Sequence, residues 1–234
     1  MNKAHTSRDF EAELRELRAH ALAMGARCER ALQVALEAFW AGSTELADEV
    51  EEIDRHIDRD EMDIDALVLR ILALRQPVAY DLRFLAGALR LVTDLERVGD
   101  EAVNVAERAK EEHGVAKDTV KDQLKQMGEQ SQDMLREALE AFVHGEPDRA
   151  EQVLVRDDTV DELYGQIIRG MTSFMSQHPA QVAEAIRVIH VAKYLERVAD
   201  HATNIAEEVI FMVRGEDVRH ARTHPPPAVR KGTS

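Results

Sequence analysis

Glu96, Asp100, Asn104 and Glu107 recur at three- and four-residue steps within LERVGDEAVNVAE, residues 95–107. On a helix, at about 100° per residue, they point near 0°, 40°, 80° and 20°. Leu95, Val98, Ala102, Val105 and Ala109 point instead to roughly 180–260°, the apolar side. Residues 195–207, LERVADHATNIAE, repeat the arrangement with Glu196, Asp200, Asn204 and Glu207. Asp54, Asp58 and Glu61 form a similar stripe upstream, and Asp157 and Asp161 stand where a second copy of Asp54 and Asp58 would be.

Carboxylates gathered on one face repel one another, and a cation that accepts oxygen ligands relieves that repulsion. Magnesium, calcium, manganese and iron suit such a donor set, with the Asn amides as neutral oxygens. The candidate ligands are Asp54, Asp58, Glu96, Asp100 and Asn104 in the first copy, and Asp157, Asp161, Glu196, Asp200 and Asn204 in the second. The plain alternative is a solvated acidic face, with Arg97 or Arg197 pairing the carboxylates. A di-metal oxidase of the ferritin-like class is a further alternative. It needs Glu-x-x-His on inward helix faces, and no histidine here has Glu three residues before it; the only acid so placed is Asp217, before His220. A purely structural helical protein is the third reading. No Ser-His-Asp or Cys-His constellation and no Gly-rich phosphate loop is present, which argues against an enzyme. His201 is expected at a surface or interface, His190 on the bundle surface, and Cys28 in packing.

The elements that carry these residues follow from a duplication. LEAFWAG at 36–42 returns as LEAFVHG at 139–145, and nine of the thirteen positions in the two LER segments are identical. Chance would give about one, so the chain contains two copies of one unit. Gly42 with Ser43 or Thr44, then Gln76-Pro77, then Gly114 punctuate the first copy; Gly145 with Pro147, His178-Pro179 and Gly215 punctuate the second. Gly suits the position after a helix and Pro its first turn. Three helices per copy result, of about 30–35 residues each, antiparallel because their connections are short. The fold class is all-α: two tandem three-helix bundles, over 8–114 and 117–215, related by an internal pseudo-twofold. Residues 216–234, basic and Pro-rich, read as a disordered tail. Measured from Gln76, Asp58 lies about 18 residues before the turn and Glu96 about 20 after; from His178, Asp161 lies about 17 before and Glu196 about 18 after. Equal distance along an antiparallel hairpin means equal height, so helices two and three can present their acids together on an outward face.

Composition bounds the function. The net charge is −15, and the tail carries four Lys or Arg against two acids, leaving −17 on the rest. Nucleic-acid binders neutralise phosphates with Lys and Arg, so nucleic acid is excluded as a partner class and cations or basic protein surfaces are favoured. One cysteine permits no internal disulfide. No apolar signal region opens the chain and no stretch reaches the roughly 18–20 apolar residues of a membrane span. A cytoplasmic protein is expected, with any membrane association indirect.

QPVAYDLR (76–83), DLERVGDEAVNVAE (94–107) and YLERVADHATNIAEEVIF (194–211) resemble the signature segments of the PhoU family, and the likeness spans about residues 8–215. The resemblance implies two similar three-helix bundles, no catalysis, and multinuclear iron or zinc clusters on acidic Glu/Asp-x-x-x-Asp motifs. Those motifs fall on Glu96/Asp100 and Glu196/Asp200, with Asp54/Asp58 and Asp157/Asp161 opposite. It also implies restraint of the phosphate-starvation response at the inner face of the membrane, between a phosphate ABC transporter and a sensor histidine kinase. A homodimer is the expected assembly. Gly99 and Glu101 stand where the second copy has Ala199 and His201, which makes two metal sites unequal on this reading.

Overall fold

The computed structural model describes residues 3–111 and 115–218. Residues 1–2, residues 112–114 with Gly114, and the tail from Arg219 onward lie outside them. Helices α1 (Lys3–Ala41), α2 (Thr44–Arg75) and α3 (Ala79–Glu107) form the first unit; α4 (Ala116–Thr119), α5 (Lys121–His144), α6 (Pro147–Gln177) and α7 (Val182–Arg214) form the second. Short 3-10 turns extend α3 and open α7. Among the described residues there is no strand.

Local chemistry sets most boundaries. Gly42, Gly145 and Gly215 take φ of 67°, 66° and 73°, the left-handed conformation that ends a helix and that a side chain disfavours. Ser43 caps α2, its hydroxyl accepting the Leu46 amide at 3.2 Å. Pro147 sits in the first turn of α6. The α5 helix departs from expectation: it has 24 residues, against about 30–35 expected from the punctuation. The chain breaks at Val120 (φ −125°, ψ 25°) and α4 turns away. Tertiary contacts hold that break. The Ala116 amide donates to the Glu184 carboxylate at 2.6 Å. Lys117 donates to the carbonyls of Phe39 and Trp40 at 3.2 and 3.0 Å, filling acceptors left open at the end of α1.

One apolar core runs through both units. Their relation shows at the α1–α5 crossing. A Cβ on Gly25 would meet the Leu139 side chain at 2.5 Å, and one on Gly128 would meet Leu36 at 2.9 Å. Gly128 and Leu139 are the repeat equivalents of Gly25 and Leu36, so each leucine seats in its counterpart's hollow across the pseudo-twofold. The third helices α3 and α7 pack antiparallel beside this crossing. Arg83 bonds the Met212 carbonyl (2.9 Å), Arg90 bonds Glu208 (2.6 Å), Asp94 contacts His201 (2.9 Å), and Arg197 reaches Glu101 (2.8 Å). No helix among the described residues is long and apolar enough to cross a membrane.

Candidate functional site

In each unit the hairpin α2–α3, or α6–α7, brings its acids to one level. Ile57, Ile64 and Ile71 are buried on α2, and Leu91, Leu95 and Val98 on α3. Packing these together leaves Asp54, Asp58, Glu61, Glu96 and Asp100 along the furrow between the two helices. The face is less open than the helical angles suggested: the Glu96 side chain keeps 22% of its exposure and Glu196 16%, while Asp100 keeps 44%. A helix flank beside a neighbouring helix loses solvent even when it points away from the core.

Electrostatics record the crowding. Burial, then the charges of Asp58, Asp100 and Glu96, pushes Asp54 up to about 6. Asp200 is pushed to about 6 by burial, then by Glu196 and Asp157, against a lowering from Lys193 and with a further push from Asp161. Glu96 and Glu61 are raised as well, first by burial and then by neighbouring carboxylates. Desolvation and like charge both favour the neutral form of an acid. The acids of α2 and α3 therefore lie within electrostatic reach, as do those of α6 and α7. Asp54 Oδ1 is shut off from solvent and has no hydrogen-bond partner. It lies 2.7 Å from where a Cβ on Gly99 would stand, so it occupies a hollow that the glycine leaves.

Arg97 caps the first face from outside, 3.4 Å from Glu96 and 3.2 Å from Asp100. Arg197, its repeat equivalent, turns away to Glu101; in the second face Lys193 bonds Glu196. As the side chains stand, no three His, Cys, Asp or Glu among the described residues converge as ligands of one ion. The donor set still fits a hard cation: carboxylate oxygens in excess, with one shielded oxygen lacking a donor.

Asn104 and Asn204 belong to a different place. The Asn104 amide donates to Glu101 at 3.3 Å and the Asn204 amide to Asp94 at 3.1 Å. Asn204 thereby crosses the α3–α7 interface, while Asn104 bonds along its own helix to Glu101, which pairs with Arg197 of α7. Glu101, only 1% exposed, is raised by burial against the lowering effect of Arg197 and Asn104. His201 is an interface residue, through Asp94. His190 is exposed beside Tyr194. Cys28 is buried, its thiol donating to the Leu95 carbonyl at 3.2 Å, and burial pushes the thiol far up. The interface residues Glu101, Asp94 and Arg90 were not predicted as a group. The one signal was the mismatch of Glu101 and His201 within otherwise matched segments. Beside this interface a cleft of about 360 Å³ is lined by Leu89, Arg90, Thr93, Asp94, Asn204, Glu207 and Glu208. Three carboxylates against one guanidinium give it the wrong sign for phosphate.

Two three-helix units of one pattern, joined through antiparallel third helices and each bearing an acidic furrow, define a duplicated all-helical scaffold with paired carboxylate faces. The family model described as the PhoU domain matches residues 21–109 and again 124–209. Similar proteins include the phosphate-specific transport system accessory protein PhoU homologs of Pseudomonas aeruginosa, 42% identical over 92% of this chain and 90% of that one, and of Pseudomonas putida, 40% identical over 92% and 85%. The crystal structure of PhoU from Pseudomonas aeruginosa superposes with a TM-score of 0.82 at 39% identity, covering 88% of this chain and 100% of that one. The chain belongs to the PhoU family.

Proposed function

We propose that this protein is a regulatory accessory protein of phosphate uptake that restrains the phosphate-starvation response in the cytoplasm, at the inner face of the membrane. The observation that carries the reading is the end-to-end likeness to PhoU accessory proteins, which extends over both units and their hairpins. The proposed partners are a phosphate ABC transporter and a sensor histidine kinase, with the protein acting as a homodimer. Two long, rigid units sharing one core suit a scaffold that presents fixed surfaces to such partners. The cleft beside Arg90 carries the wrong charge for phosphate.

Metal ions enter the same proposal. Asp54, Asp58, Glu96 and Asp100 would hold a cation in the first furrow, and Asp157, Asp161, Glu196 and Asp200 in the second. Asn104 and Asn204 would contribute only after leaving Glu101 and Asp94. Iron, zinc, manganese and magnesium are the candidate metals. A bound ion would supply charge neutralisation and cross-link the second and third helices of each unit; no substrate chemistry is assigned to it.

Deleting the gene tests the regulatory reading. Phosphate-scavenging genes should then be expressed in phosphate-replete medium, and the intact chain should restore their repression. Unchanged repression in the deletion strain would remove the regulatory role.

A further inference from the structure

The two acidic furrows come from one ancestral unit, yet several differences separate them, among them three that line the furrows. The first is Gly99 against Ala199. Asp54 Oδ1 rests 2.7 Å from the position of a Gly99 Cβ, closer than a real Cβ tolerates, and Ile57 Cδ1 lies at 3.1 Å. Ala199 is fully buried and does carry that methyl. An aspartate in the second furrow cannot settle against the third helix as Asp54 does. The second difference is Glu61, whose repeat equivalent is Tyr164. The third is Thr93, beside Glu61, whose equivalent is Lys193.

These differences change the charge of each furrow. The first holds Asp54, Asp58, Glu61, Glu96 and Asp100 against Arg97, whose side chain is 53% exposed on the outer rim. The second holds Asp157, Asp161, Glu196 and Asp200 against Lys193. That ammonium, on a side chain 45% exposed, bonds Glu196 and lies 5.7 Å from the centre of the Tyr164 ring. Each furrow thus has one cation in contact with its carboxylates. The first has more carboxylates for its one cation, and an oxygen with no donor.

Taking the furrows as cation sites, we propose that they are unequal, that the first binds a divalent ion more tightly, and that Gly99 and Glu61 set the difference from Ala199, Tyr164 and Lys193. The physical basis is relief. An ion entering the first furrow meets more carboxylates than the Arg97 guanidinium, at Glu96 and Asp100, can compensate. An ion entering the second must compete with the Lys193 ammonium for Glu196.

Titrating the chelator-stripped full-length protein with Mn²⁺ by calorimetry tests this. Wild type should show a tighter and a weaker class of sites. Gly99→Ala should weaken the tighter class by about 10-fold or more, the size of effect seen when groups supporting a metal site are altered, and leave the weaker class in place. Lys193→Thr should strengthen the weaker class. If Gly99→Ala does not fold, Glu61→Gln makes the same test at the exposed side of the furrow. Equal sites in wild type, or a tighter class that survives both first-furrow substitutions, would overturn the inequality and leave the cation reading standing. No Mn²⁺ binding by wild type would overturn both.

Discussion

Asp54 and Asp200 show how single carboxyls feel the whole arrangement. Each is held up to about 6 when folded, whereas an unfolded aspartate titrates near about 3.9. The folded state therefore binds protons more readily than the unfolded state between those values. The stability from the neutral form is fully present below about pH 4 and is lost as pH rises through about 6. In chelator, an Asp54→Asn, Asp200→Asn double variant should melt above wild type at about pH 7.5, and the gap should close by about pH 4. A gap that stays constant across that range in thermal melts would mean the two carboxyls are not under strain. Gly99 acts at the same scale. Its relevance was visible in sequence only as a mismatch with Ala199; that its missing methyl houses a carboxylate oxygen depends on the distance between α2 and α3.

At the scale of elements, the helix ends at Gly42, Gly145 and Gly215 were legible because they rest on local backbone chemistry. Left-handed φ costs a residue with a Cβ about 1–2 kcal/mol. The surroundings of Gly145 and Gly215 differ. A Cβ on Gly145 would come within 3.1 Å of the Tyr80 hydroxyl, while one on Gly215 would meet nothing within 4 Å. Gly215→Ala should cost about 1 kcal/mol from conformation alone, and Gly145→Ala more, about 2 kcal/mol, because Tyr80 must also move. Denaturant midpoints of the two variants decide it, and equal losses would show that Tyr80 yields freely. The break at Val120 was not legible. It has no Gly or Pro, and Lys117 and Glu184 hold it through groups distant in sequence.

Across the whole molecule, the two units share a core and are laced together by charged groups that half emerge from it. Glu101 is 1% exposed and faces Arg197, whose side chain is 45% exposed. Breaking a fully buried pair costs about 3–5 kcal/mol. The exposure of Arg197 reduces this, so Arg197→Ala should cost about 1–3 kcal/mol by leaving a carboxylate behind. Adding Glu101→Leu should recover part of that loss, and both proteins should unfold in one transition because the core is continuous. A double variant less stable than Arg197→Ala would count against a strained lone carboxylate, and two separate transitions against a shared core. The homodimer, the partner surfaces and the ions belong to this scale too, as proposals.

Residue order by itself determined the duplication, the helical class, the principal helix boundaries and the pairing of carboxylate stripes. Each depends on identity at fixed offsets, on helical periodicity or on Gly and Pro backbone preferences, all of which are local. Tertiary structure decided which neighbour each flank of a helix meets. Asn104 stands at about 80° on the helix, between the acids near 0–40° and Glu101 near 140°. Periodicity places it on that edge without saying whether α2 or α7 lies beyond. The antiparallel docking of α3 on α7 turned Asn204 to Asp94 of the other unit and set Asn104 against Glu101, the partner of Arg197. It also drew Arg197 away from Glu196 and left the acids of α2 and α3 to one another. Contacts between residues about 100 positions apart fixed that choice, because local periodicity carries no record of the partner helix.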